Sequence, residues 1–133
     1  MNPANALARH RLARAGTALD EANLLLAQNR YSGALNRVYY AAFYAARAAL
    51  ATVNADSSRH SGTIALFQQH FVRTGVIPAD TAKVLPRAFE KRQTADYGDF
   101  SEPTHGEVAS LRDQVQEFIA ACQDVVDRAA PSE

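Results

Sequence analysis

Residues 34–53 read ALNRVYYAAFYAARAALATV, and this stretch decides the fold. It contains neither Gly nor Pro and is dominated by Ala, the strongest helix former, with no alternation of β-branched residues to compete. On a wheel of about 100° per residue, Leu35, Tyr39, Ala42, Ala46, Ala49 and Leu50 lie within about 60° of one direction and form a core stripe. Asn36, Tyr40, Phe43 and Arg47 fall on an adjacent stripe. The outer side is almost all Ala, interrupted by Arg37 and Tyr44. A helix apolar nearly all round is either enclosed by its own bundle or shared with a second subunit, and a homodimer is expected.

Outward from this helix the chain keeps helical spacing. Upstream, Leu7, Leu12, Ala15, Leu19, Ala22, Leu25 and Leu26 mark a helix from Pro3 to Gln28, and Asn29-Arg30 ends it before Ser32, which suits a cap for the second helix. Downstream, Ser57 or Ser58 opens a shorter helix through Ile64, Phe67 and Phe71 that Gly75 stops. Asp80 caps a fourth helical region, which Pro86 kinks or splits before it ends near Gly98. Pro103 precedes a last helix through Val108, Leu111, Val115, Phe118, Val125 and Val126, and residues 131–133 are expected to fray. The expected architecture is all-α: an up-and-down four-helix bundle with an additional short helix, in one domain over residues 1–133 with its core at about 7–128.

Composition narrows the function classes. The 133 residues balance 14 basic against 14 acidic side chains, so no global field draws the chain to nucleic acid or membrane, although a local basic cleft remains open. Residues 1–50 nevertheless hold six Arg against Asp20 and Glu21, whereas residues 99–133 hold eight acids against Arg112 and Arg128. The single Cys122 cannot staple the fold, and His10, His60, His70 and His105 lack metal-ligand spacing, so neither a metal nor a cofactor is expected. Charges within the first fourteen residues break the apolar run a secretory signal requires, and no stretch is apolar enough to span a membrane. A cytoplasmic protein is expected.

The chemistry concentrates in Arg92-Gln93-Thr94-Ala95-Asp96-Tyr97. Arg92 and Asp96 are four residues apart and share a helix face, with Tyr97 a step round the cylinder. Arg offers a fixed fork of donors to phosphate, Asp can hold that fork, and Tyr can donate or accept a hydrogen bond. The same residues also suit an ordinary i,i+4 ion pair beside a partly buried ring. Likewise, Asn36, Tyr40 and Arg47 either line a binding cleft or satisfy one another at the core edge, with Arg47 reaching water.

Taken together, Asn36 to Arg47, then His60-Ser61-Gly62 with Phe67, then Arg92 to Tyr97, resemble the small stand-alone branch of the HEPN domain family over roughly residues 7–128. The resemblance implies an α-helical, commonly dimeric bundle whose late helices build a shared cleft. Many members are metal-independent ribonucleases, often toxins controlled by a minimal nucleotidyltransferase. Their motif is an Arg, a polar neighbour, and a His five to seven positions after the Arg. Arg92 and Gln93 match; Tyr97 and Asp99 stand at the fifth and seventh positions, and His105 lies too far on.

RNA cleavage without a metal needs one group to take the 2′-hydroxyl proton and another to protonate the leaving oxygen. Imidazole does both near neutrality, and a phenol titrating near about 10 is a poor base. His60 either supplies the missing imidazole, if it folds onto the Arg92 helix, or merely starts the third helix. Three functions follow. The first is a ribonuclease toxin using Arg92 for phosphate charge, Asp96 to orient it, Tyr97 or His60 for proton transfer, and Asn36 and Tyr40 in the cleft. The second is a non-catalytic nucleotide- or RNA-binding partner of a nucleotidyltransferase; the resemblance implies that a Tyr close behind the motif Arg can receive AMP, and Tyr97 is a candidate by position only. The third is a structural dimerisation domain.

Overall fold

Small side chains on two successive helices let their backbones approach closely, and in the computed structural model, which describes residues 3–98 and 102–129, the first two helices pack along most of their length. Helix α1 (Pro3–Ala27) turns directly into α2 (Tyr31–Ala51). Asn29 takes a left-handed backbone (φ 61°), and the amides of Arg30 and Asn29 return to the carbonyls of Leu25 and Leu26 at 2.9 and 3.0 Å. That pairing satisfies carbonyls the helix end would leave open. Asn54 (φ 56°) ends α2 by the same device, with Ala55 and Asn54 amides on Leu50 and Ala51 carbonyls at 3.0 and 3.1 Å. Because the turn is so short, Arg30 and not Ser32 occupies the cap position of α2, and Ser32 lies inside the first turn.

Helix α3 (His60–Phe67) begins later than Ser57 or Ser58, since Ser57 Oγ accepts the Arg59 amide at 3.1 Å and organises the entry. It widens into one π turn over Gln68–Val72, where the Arg73 amide reaches the Gln68 carbonyl at 3.0 Å. The Phe67 ring meets those of Phe71 and Phe118, each 5.2 Å away, in the core. Gly75 ends this segment with φ 78°.

Pro86 splits the next region. A one-turn helix α4 (Ala79–Ala82) and a longer α5 (Val84–Tyr97) part at Lys83, which leaves Pro86 in the first turn of α5, where helix amides have no partner to lose. Pro78, not Asp80, stands in the cap position of α4. Helix α6 (His105–Ala129) starts at a capping box: the Glu107 amide donates to Thr104 Oγ1 at 3.1 Å and the Thr104 amide to Glu107 Oε1 at 3.3 Å.

Side-chain pairs give the directions. Arg9 meets Asp127 at 2.8 Å and Arg112 meets Asn23 at 3.3 Å, so α1 and α6 run antiparallel. Arg87 with Gln114 (3.3 Å) and Lys91 with Glu107 (3.7 Å) make α5 and α6 antiparallel too. Among the described residues the four long helices therefore alternate in direction as expected, with two short helices, α3 and α4, where one was expected. No strand occurs among the described residues, and none of their helices is long and apolar enough to cross a membrane.

The expected core stripe of α2 is buried throughout. So is its Ala side: Ala34, Ala41, Ala45 and Ala48 are covered within the same chain, and α2 touches α1, α3, α5 and α6. The first of the two options for an all-apolar helix thus holds, and these alanines leave no face for a second subunit. Cys122 is free and buried, which pushes its thiol far above the usual range. The expected fraying at residues 131–133 lies outside the described residues.

Candidate functional site

Helices α2 and α5 cross so that Arg92 lies over the paired tyrosines. Its guanidinium carbon is 5.1 Å from the centre of the Tyr39 ring, 5.7 Å from Tyr40 and 6.0 Å from Phe89. An aromatic face attracts a cation, more so once water is excluded. The Arg92 side chain is only 12 % exposed. Nη1 donates to the Tyr40 hydroxyl at 3.4 Å, while Nε is buried without a hydrogen-bond acceptor, with Asp96 Oδ2 3.7 Å away. The i,i+4 ion pair read from the sequence is thus present, and the fork of Arg92 is held against aromatic rings and not spread into water.

His60 opens α3 and packs into the same cluster. Its ring stacks on Phe43 at 4.5 Å and on Phe89 at 5.8 Å, and lies 5.5 and 6.0 Å from Tyr39 and Tyr40. Nδ1 is hydrogen-bonded to the Tyr39 hydroxyl. Burial, and then the positive charge of Arg92, hold the imidazole below its ordinary range, so it stays neutral at lower pH than a free histidine. Burial pushes the Tyr39 phenol well above its own range against the pull of Arg92, with Tyr40 adding to the rise. Tyr39 thus remains a protonated hydroxyl. When Nδ1 carries the imidazole proton and gives it to the Tyr39 oxygen, Nε2 keeps a free lone pair that can accept a proton.

Other expected residues lie elsewhere. Tyr97, at the end of α5, is 80 % exposed and makes no ring contact or hydrogen bond among the described residues. Gln93 is exposed. Asn36 accepts from Arg37 Nε at 3.3 Å at the edge of the cluster. Arg47 turns away to Asp56, with Nη2 3.0 Å from Oδ1, and Arg11 reaches the same carboxylate at 3.2 Å. Burial resists ionisation of Asp56, but the Arg47 hydrogen bond, the Ser57 amide and the two charges together hold its carboxyl below the usual range. Among the described residues no three of His, Cys, Asp or Glu converge as they would around a metal ion.

Tyr39 and Phe89 are parts of the site that the pattern of the chain assigned to the core or left unassigned. The available signal was chemical: a tyrosine in a stripe of Ala and Leu carries a hydroxyl that must find a partner once buried.

Comparison with known proteins shows which family this sequence resembles. The HEPN domain profile matches residues 8–125. The chain is 37 % identical over 114 residues to a UPF0332 protein of Thermotoga maritima, covering 86 % of each. It is 40 % identical over 85 residues to the UPF0332 protein glr0978 of Gloeobacter violaceus, covering 64 % of this chain and 68 % of the relative. It is 32 % identical over 101 residues to a Methanocaldococcus jannaschii protein named "Putative toxin MJ0605", covering 76 % of this chain and 75 % of that one.

Proposed function

This chain belongs to the HEPN domain family, and on that premise we propose that it is a metal-independent endoribonuclease, the cytoplasmic toxin of a toxin–antitoxin pair, cutting RNA at the cluster of Arg92 and His60. The observation that carries this reading is the shared setting of the two side chains: both rest on Tyr39, Tyr40 and Phe89. The motif imidazole is absent from α5, and in this reading His60 of α3 supplies the imidazole instead. A relative of 32 % identity that bears the word toxin in its name adds support.

In the proposed reaction His60 Nε2 takes the proton of a 2′-hydroxyl, whose oxygen attacks the adjacent phosphorus. The bond to the 5′-oxygen breaks, leaving a 2′,3′-cyclic phosphate, and the Tyr40 hydroxyl gives that oxygen its proton. Arg92 faces the charge that builds on phosphorus; one such preorganised group contributes about 3–4 kcal/mol in other enzymes. Asp96 and Tyr39 are positioning residues, for Arg92 and His60 respectively. The family resemblance adds a homodimer with facing late helices, although the alanine face of α2 no longer argues for one.

The test is cleavage of mixed tRNA and mRNA by the purified chain in EDTA. Wild type is expected to cut, and Arg92→Ala and His60→Gln to lose at least about 100-fold while keeping wild-type circular dichroism. A folded wild type that cuts nothing would sink the enzyme reading.

One observation favours a second reading. Among the described residues Tyr97 is the most exposed of the large hydrophobic side chains, and its hydroxyl is open to a partner enzyme. Its hydroxyl oxygen would attack the α-phosphorus of ATP and release pyrophosphate, leaving AMP on Tyr97. In that case the chain is a nucleotide- or RNA-binding partner of a minimal nucleotidyltransferase. Mass spectrometry after incubation with ATP and such an enzyme would show one AMP added, absent in Tyr97→Phe.

A further inference from the structure

Beside the Arg92 cluster, α1 and α2 hold a second set of guanidiniums on tyrosine faces. Arg14 lies over Tyr44 at 4.5 Å and also donates to its hydroxyl at 2.9 Å. Arg37 lies over Tyr40 at 5.0 Å. The Tyr40 and Tyr44 rings are themselves 5.9 Å apart. Tyr40 is therefore common ground: Arg37 sits over its ring, and Arg92 reaches the same ring at 5.7 Å. Between α1 and α2 these side chains border a groove of about 420 Å³ whose walls include His10, Arg14, Arg37 and Tyr44, with Glu21 as its acid. Arg37 Nη1 holds that acid at 3.3 Å. The groove coincides with the half of the chain in which Arg outnumber acids.

We propose that this groove is an RNA-strand subsite, in which Arg14 and Arg37 bind phosphates next to the one that Arg92 holds. The proposal rests on the RNA-cleaving reading for its ligand, but binding tests it without cleavage. The physical case has three parts. Guanidiniums braced on aromatic faces are preorganised, so they lose little freedom when they grip a phosphate. Basic side chains interleaved with aromatic rings are the usual composition of a surface that tracks a single strand. The subsite and the cluster also share one ring, that of Tyr40, which Arg37 and Arg92 both approach. Arg14 is exposed and Arg37 partly so, and each also ties α1 to α2, through Tyr44 and Glu21 respectively.

Glu21 sharpens the test. As an acid on the groove wall it repels a phosphate and occupies Arg37, so its removal frees a charge for RNA. A groove that served only folding would show no gain from losing that ion pair.

The experiment measures, by anisotropy across a salt series, binding of a fluorescein-labelled single-stranded 2′-O-methyl RNA 12-mer, which lacks the attacking hydroxyl and stays intact. The proteins are wild type, Arg14→Gln, Arg37→Gln, Glu21→Gln, and Arg73→Gln as a control for loss of an exposed charge beyond the groove. Arg14→Gln and Arg37→Gln are expected to weaken binding about fivefold or more and to flatten the salt slope by about 0.7 each, the change for one phosphate contact on a single strand. Glu21→Gln should tighten binding, while Arg73→Gln stays within about twofold of wild type. Unchanged affinity and slope in both arginine variants would overturn the subsite, as would an equal loss in Arg73→Gln. Cleavage of the unmodified 12-mer in EDTA is scored in separate tubes. Thus RNA that binds through Arg14 and Arg37 without being cut keeps the subsite and removes the nuclease, and RNA that is cut equally by wild type and both arginine variants does the reverse.

Discussion

Nδ1 of His60 and the hydroxyl of Tyr39 are joined by a hydrogen bond that ties the first residue of α3 to the middle of α2. The two residues are 21 apart in the chain, and each also lies in the field of Arg92. That bond fixes the ring and, with the proton on Nδ1, turns Nε2 into an acceptor. Replacing Tyr39 by Phe keeps the ring and removes only the partner. The expected result is a stability loss of about 1 kcal/mol, the usual cost of one unmade hydrogen bond. Cleavage should fall by about 10- to 100-fold in kcat with little change in KM, and the pH profile should move with it. A KM effect alone would show that Tyr39 does not act through His60.

The charge of Arg92 lowers the affinity of His60 for a proton, after burial, which is the larger cause. Arg92→Gln should therefore raise the His60 pKa part of the way back towards the ordinary value of about 6.5, as followed by NMR titration of the imidazole protons. The sign for stability follows from the same depression. The folded protein binds this proton less readily than the unfolded chain, so the contribution of His60 is fully present above about pH 6.5 and is lost as pH falls through the folded pKa. In the wild type, the acidic limb of the cleavage profile should lie below about 6.5.

Asp56 gathers Arg47 and the nearly buried Arg11, which also donates to the Arg47 carbonyl at 3.1 Å. Asp56→Asn leaves Arg11 without its counter-ion in a poorly solvated place. The expected cost is about 1–2 kcal/mol by urea denaturation at pH 7, less than for a fully buried pair because Asp56 itself is half exposed. Its carboxyl is held below the usual range, so this stabilisation is present above about pH 4 and lost as pH falls through the folded value. The difference between wild type and variant should accordingly shrink in acid.

Gly62 has no room for a side chain. A Cβ there would run into Ser57 Oγ and lie 3.0 Å from Ser57 Cβ, at the entry that positions His60. Gly62→Ala should cost about 1–3 kcal/mol and reduce cleavage by displacing the imidazole. Adding Ser57→Gly removes both clashing atoms and should restore much of the loss in a double-mutant cycle.

Tyr97 offers a cleaner separation of the two functional readings. Because it is 80 % exposed and touches no other ring among the described residues, Tyr97→Phe should leave the melting temperature unchanged and RNA cleavage within about twofold, since His60 provides the proton transfer. A large loss of cleavage would return the proton-transfer role to Tyr97.

Helices were legible because their signals are local. The alanines and the spacing of Leu35, Tyr39, Ala42, Ala46, Ala49 and Leu50 placed α2 and its buried stripe, and Gly75 and Asn29 marked ends that the backbone uses. Start signals were read less well. Ser32 and Asp80 are good caps in isolation, but neighbouring turns had already oriented the chain one or two residues earlier. The box of Thr104 and Glu107 was readable from its spacing alone and went unread.

By itself, then, the sequence determined the all-α class, the central position of α2, the i,i+4 relation of Arg92 to Asp96 and the family resemblance, because propensity, periodicity and motif order are properties of neighbours along the chain. Only the tertiary structure decided that His60 joins Arg92, that Tyr39 holds His60, that Arg47 leaves for Asp56 and that Tyr97 faces solvent. Those outcomes depend on how α3 and α5 dock against α2, and such docking is set by packing and desolvation across 20 to 50 residues of chain, about which no local pattern carries information.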